Sequence, residues 1–130
     1  MLEDIPKYKV EDIALAVVKD KKDAWLVYLI NLKDEPIEGV LVSSKGYGRK
    51  NGEKIKTSVL RHSLGTMEAK SFVIIEPIME NVLNLTNEYW VSFFQKKKMY
   101  DKKYIILPES AITNNLIDIP LVNKKGILFK

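Results

Sequence analysis

Short apolar runs alternate with polar turns along the whole chain, at a spacing that suits strands rather than helices. Seven runs stand out, at about 12–19, 24–33, 37–45, 54–62, 71–78, 88–95 and 99–107, with a weaker eighth at about 126–129. Period-two alternation predicts that Ile55, Thr57 and Val59 share one face, with Lys56 and Ser58 on the other. It likewise groups Phe72, Ile74 and Ile78, with Glu76 interrupting the series. In the second run Trp25, Val27 and Leu29 oppose Leu26, Tyr28 and Ile30, so both faces are apolar. That is the signature of a central strand covered on both sides. Residues 110–122, bracketed by Pro108 and Pro120, show some helical spacing. The Thr113-Asn114-Asn115 cluster breaks it, and the segment reads mostly as loop.

The turns between runs have identifiable chemistry. Asn51-Gly52 is the strongest hairpin signal, because both residues tolerate the positive φ of a type I′ turn. Asp34-Glu35-Pro36 closes the second run, and Pro36, which cannot donate a ladder hydrogen bond, belongs at a strand boundary. Lys96-Lys97-Lys98, between two aromatic runs, reads as a hairpin tip. No linker, repeat or low-complexity tract divides the chain. The pattern predicts a single all-β domain over residues 1–130, a sandwich or a barrel, with 1–10 and 108–130 as wrapping arms.

Two segments narrow that choice by resemblance. Residues 25–47 run Trp25-Leu-Val-Tyr-Leu-Ile-Asn31, then a polar turn to Pro36, then an apolar-x-x-Val40-x-Val42 step. They are similar to the opening hairpin of several immunoglobulin-like modules. Leu64-Gly65-Thr66-Met67-Glu68-Ala69-Lys70-Ser71-Phe72 resembles the turn that precedes a later strand of such sandwiches. The whole chain also resembles a family of small uncharacterised bacterial proteins with no established activity. Some similar chains carry a phenylalanyl-tRNA synthetase subunit label, but this chain is too short for a synthetase catalytic domain and has no class II motif with its ATP-binding arginines. The resemblance implies an antiparallel immunoglobulin-like β-sandwich of about seven to eight strands.

Composition removes several chemistries. There are no cysteines, which excludes disulfides, thiol nucleophiles and cysteine-ligated zinc or iron–sulfur sites. The N-terminal Glu3 and Asp4 stand where a secretory signal carries bases, and stretches such as Ile13 to Val18 are too short to cross a bilayer. The expectation is a soluble, cytoplasmic protein that does not engage membranes.

Candidate sites are few. His62 is the sole histidine, and Ser63, next in line, points to the opposite face of a strand. His62 therefore reads as a strand-end polar residue rather than part of a triad. Glu76, just before Pro77, reads as solvated. The Gly46–Lys54 segment is glycine-rich and basic, but a phosphate loop requires Gly-Lys, then Ser or Thr, then a helix, whereas Gly52 is followed by Glu53 and a strand, so it reads as a hairpin loop. No cofactor, metal or catalytic residue is expected.

Charge placement carries more information. Residues 45–62 hold Lys45, Arg49, Lys50, Lys54, Lys56 and Arg61 against Glu53 alone, a net +5 in a chain whose total is +4. Residues 95–104 carry a further net +4, and the remainder is acidic. Tyr47, Tyr100 and Tyr104 lie among these bases. If successive strands reverse direction, however, the 45–54 loop and the 96–98 tip fall at opposite ends. The expected function is a non-enzymatic protein-interaction or structural module, binding a protein partner or a second copy, with the apolar Gly126-Ile127-Leu128-Phe129 offering a strand to a neighbour's sheet. The alternative is a weak nucleic-acid or polyanion binder acting through the basic 45–61 segment.

Overall fold

A computed structural model describes residues 8–21, 24–111 and 116–130. The first seven residues and the Thr113-Asn114-Asn115 cluster lie outside the described residues. The fold is all-β, with two antiparallel sheets packed face to face, and the apolar runs supply the strands. They are β1 (Ile13–Lys21), β2 (Ala24–Asn31), β3 (Ile37–Lys50), β4 (Glu53–Lys56), β5 (Leu60–Met67), β6 (Ser71–Met79), β7 (Thr86–Gln95), β8 (Lys98–Ile106), β9 (Ile117–Asp118) and β10 (Lys125–Phe129). A single helical turn, α1 (Glu80–Leu83), joins β6 to β7. The first sheet has the order β6-β2-β1-β10-β9. In the second, the order is β4-β3-β7-β8, with β5 pairing β3 on the edge that β4 extends.

Alternation along the strands builds the interior. Leu15 and Val17 of β1, Trp25, Val27 and Leu29 of β2, and Tyr89, Val91 and Phe93 of β7 meet between the sheets and are almost wholly buried. Each such side chain contributes about 1.5–3 kcal/mol of burial free energy. The opposite face of the first sheet is also covered. Ala14, Ala16, Val18, Tyr28 and Ile30 form a second buried layer with Ile119 and Val122. The small Ala14 and Ala16 leave room for the segment that crosses them, and β2 is apolar on both faces for this reason.

Turn chemistry follows the sequence closely. Asn51 and Gly52 adopt φ of 52° and 82° between β3 and β4, and Lys96 and Lys97 adopt 50° and 65° between β7 and β8. Pro36 lies just outside β3. Asn31 ends β2 inside the protein, where its amide donates to the carbonyls of Glu35 and Glu68, each at 3.0 Å, and its Oδ1 accepts from the Lys33 N–H at 3.0 Å. It satisfies backbone groups of two turns at once.

Four expectations are corrected. The run at 54–62 divides into β4 and β5 at Thr57, whose N–H still donates to the Gly46 carbonyl at 2.8 Å but whose hydroxyl, in place of its carbonyl, accepts from the Gly46 N–H at 2.8 Å. Ile55, Thr57 and Val59 therefore share no strand face. In β6 the register against β2 shifts between Val27 and Tyr28, and this bulge re-aims the series. Phe72 and Ile74 face outward and are exposed, whereas Ile75 and Ile78 are buried. The C-terminal Gly126–Phe129 segment is already a strand of the first sheet rather than a wrapping arm: it pairs with β1 from Val18↔Gly126 to Leu15↔Phe129, and β9 meets its other edge at Lys125 and Gly126. Finally, the described residues form ten strands, two more than the pattern suggested, through the division of one run and the two-residue β9.

Candidate functional site

Pairing across the second sheet arranges its outward side chains in rows, because residues directly opposite in an antiparallel pair share a face. One row runs Arg61 (β5), Ser43 (β3), Trp90 (β7), Lys103 (β8). Toward the β3–β4 hairpin the next rows hold Lys45 beside Glu88, then Lys56, Tyr47 and Thr86, then Arg49 beside Lys54. In the other direction come Ser63, Leu41, Ser92 and Asp101, and then Glu38, Phe94 and Met99. The face is thus basic at the hairpin end and apolar at the other, and Trp90 stands at the boundary.

The apolar end is bare. Leu41, Trp90, Phe94 and Met99 are between 46% and 55% exposed, a large fraction for side chains of this size on one face. Leu41, Trp90 and Met99 line a groove of about 400 Å³ together with Arg61, Ser63 and Asp101. No segment among the described residues covers it, in contrast to the layer that Ile119 and Val122 form on the first sheet.

Electrostatics order the basic end. Glu88 is mostly buried and is approached by Lys45 at 3.4 Å, Lys103 at 3.7 Å and the Tyr47 hydroxyl, which donates at 3.3 Å. One carboxylate thereby fixes two ammonium groups and a phenol beside Trp90. The Lys103 ammonium also lies 4.9 Å from the centroid of the Trp90 indole, within range of a cation–π contact. Of the six bases singled out in the sequence, Lys45, Arg49, Lys54, Lys56 and Arg61 face the same side, and Lys50 points to the other. The Arg49 guanidinium donates to the Gly52 carbonyl at 3.2 Å, which holds it along the hairpin. The 96–98 tip is at the far end of the sheet, as strand reversal requires. Lys103 nevertheless joins the first basic group, because β8 returns alongside β7.

A second constellation lies inside, where the two sheets part beside β5 and β6. Glu76, read from sequence as solvated, is largely buried instead, with its side chain 11% exposed. The β6 bulge turns it inward, and sequence alternation gave no sign of that. His62 Nε2 lies 2.7 Å from one carboxylate oxygen and the Tyr89 hydroxyl donates to the other at 2.8 Å. The Ser44 hydroxyl is shared between both oxygens at 3.0 and 3.1 Å. His62 is mid-strand on β5 rather than at a strand end. Burial, reinforced by the Glu76 charge and hydrogen bond, raises the Tyr89 phenol well above the usual tyrosine range. Burial alone does the same for Tyr104, whose hydroxyl donates to the Ile13 carbonyl at 2.7 Å.

Chemically this cluster is a tie between sheets. A triad directs a hydroxyl proton toward an imidazole, whereas here the serine and tyrosine protons are both directed at the carboxylate. Among the described residues no hydroxyl is hydrogen-bonded to His62, and no group of three metal-ligating side chains gathers. Comparison with known proteins finds no matching family model, no similar curated protein and no similar solved structure. Among the described residues no helix is long and apolar enough to cross a membrane.

Proposed function

We propose that the chain is a non-enzymatic interaction module of the immunoglobulin-like type, which takes a protein partner on the apolar end of its second sheet's outer face. The type is supported by strand order. The first, second and sixth strands share one sheet, the third, seventh and eighth share the other, and the chain changes sheet between the second and third strands. That is a Greek-key arrangement of the kind such sandwiches use.

The observation that carries the binding reading is the contrast between the two outer faces. One is covered over β1 and β2 by the chain's own C-terminal segment, with Phe72 and Ile74 exposed at the β6 edge, and the other leaves Leu41, Trp90, Phe94 and Met99 in water across three neighbouring strands. Exposed Trp, Phe and Met with a flanking Arg61 have the composition of an interface centre. Edge pairing is the less suitable route. Along the edge strand β8, Lys98, Lys102 and Lys103 oppose addition of another strand, β6 is interrupted by Pro77 and a bulge, and β9 is two residues long.

Placing a photo-crosslinking amino acid at Met99, and separately at Leu121 on the closed side, tests this in native cells. A discrete protein adduct from position 99 and none from position 121 is expected. Equal labelling from both, or none from position 99, overturns the reading.

A further inference from the structure

Trp90 and Arg61 at the boundary aside, the basic end of the same face has no role in protein capture as described above, and its chemistry points to a different ligand. We propose that it binds single-stranded nucleic acid, with phosphates on the cations of the β3–β4 hairpin and bases stacked on Trp90 and Tyr47. The inference rests on the reading that this outer face is the working surface, and it adds a second ligand class there.

Three observations converge. Arg49, Lys54 and Lys56 project from one side of the hairpin, and Arg61 and Lys103 flank Trp90, so five cations outline a single track. Among the described residues the only carboxylate within that track is Glu88, already met by Lys45 and Lys103. Asp101 lies one row beyond, on the apolar end. The track is consequently attractive to polyanions along its length.

Aromatic placement narrows the class. Trp90 and Tyr47 are both exposed on this side, at 48% and 38%. They are four β3 residues apart, counted from Ser43 (opposite Trp90) to Tyr47, a span of roughly 13 Å at about 3.3 Å per residue. At the stacked rise of ~3.4 Å that distance corresponds to at most about four nucleotides. A base has a face to offer each ring, and every base has one, so stacking here is tolerant of sequence. A duplex keeps its base faces covered, and a sulfated glycan has none. Lys103 is flexible enough to exchange its contact with the indole for one with a phosphate, leaving the ring to a base.

Fluorescence anisotropy of the full chain with labelled oligothymidylate and oligouridylate of about a dozen nucleotides provides the test. With about four phosphates neutralised, affinity is expected to fall about 50-fold between roughly 50 and 200 mM salt. Lys54→Gln with Lys56→Gln lowers the logarithmic salt slope by about 1.4. Trp90→Ala weakens binding about 10-fold, and Trp90→Phe restores most of it. Neither Trp90 variant changes binding of an abasic oligomer of equal length, which keeps the phosphates and removes the bases. Heparin or the abasic oligomer binding as tightly as the oligonucleotide overturns the assignment, because charge alone then accounts for it. No oligonucleotide binding at low salt, with crosslinking from position 99 intact, overturns this inference and leaves the proposed function standing. Loss of both removes the shared reading of the face.

Discussion

Replacing Glu76 with alanine tests the internal tie. The Glu76 carboxylate accepts from Ser44, Tyr89 and His62. Truncation strands two hydroxyls in buried surroundings, since Tyr89 and Ser44 are 1% and 5% exposed. A buried donor left without an acceptor costs about 1–3 kcal/mol. The His62 side chain is 28% exposed and recovers water, so its contribution is small. Removing the desolvated carboxylate returns part of the loss. The net destabilisation expected for Glu76→Ala is about 3 kcal/mol, and for Glu76→Gln, which keeps one acceptor oxygen, about 1 kcal/mol. Tyr89→Phe costs about 1.5–3 kcal/mol, and the double variant with Glu76→Ala costs less than the two added, by about 1–2 kcal/mol, because both delete the same bond. Urea unfolding with linear extrapolation reads each value, provided the m-value is unchanged. A Glu76→Ala variant within about 0.5 kcal/mol of the parent, or strict additivity with Tyr89→Phe, refutes the reasoning.

Other outcomes follow from the same structure. Asn31→Ala removes side-chain bonds to four backbone groups and is expected to lower stability by about 2–4 kcal/mol, with a drop in Tm as the readout; an unchanged Tm contradicts its place at the two turns. Gly126→Ala sets a Cβ 2.6 Å from the Val17 carbonyl oxygen, so thermal unfolding should show a loss of about 2 kcal/mol or more, and a neutral result means that β10 does not lie against β1 as described. Stability should be pH-independent in respect of Tyr89 and Tyr104 below pH ~10 and decline above it, because the unfolded phenols release protons that the folded ones retain. Each tyrosine contributes a loss of about 1.4 kcal/mol in all between about pH 9 and pH 11, and Tyr104→Phe should remove its share of the decline in urea titrations over that range; an unaltered decline contradicts the assignment.

Much of the fold is legible in the chain, for a physical reason. Covering of β2 on both faces is written in Trp25–Ile30, since no polar residue interrupts it, and the tight turns are written in Asn51-Gly52 and in the lysines at 96 and 97. What is hidden depends on long-range events. A bulge in β6 changes which face follows Ile74, and no local pattern reports it, so Glu76 reads as solvated although it is the hub of a buried cluster. The strand break at Thr57 is equally silent, because it exists only when Gly46 offers an amide from a different strand. For the binding face the limit is different. Along residues 86–95 one alternate set holds Tyr89, Val91 and Phe93, while the other mixes Thr86, Glu88 and Ser92 with Trp90 and Phe94, so alternation does not say whether those two aromatics are covered. Only packing distinguishes Tyr89, Val91 and Phe93, which are buried, from Trp90 and Phe94, which are not. The charge asymmetry of residues 45–61 is visible from the start, whereas the arrival of Lys103 beside it needs the β7–β8 pairing.

The claim on which the functional account turns is that the Trp90 face meets a partner and the first sheet does not. Hydroxyl-radical footprinting of the chain, alone and in native lysate, measures this directly. Leu41, Trp90 and Met99 should lose labelling in the lysate, while Phe72 and Ile74, comparably exposed on the first sheet, keep theirs. Unchanged labelling at Trp90 and Met99, or protection confined to Phe72 and Ile74, contradicts the account.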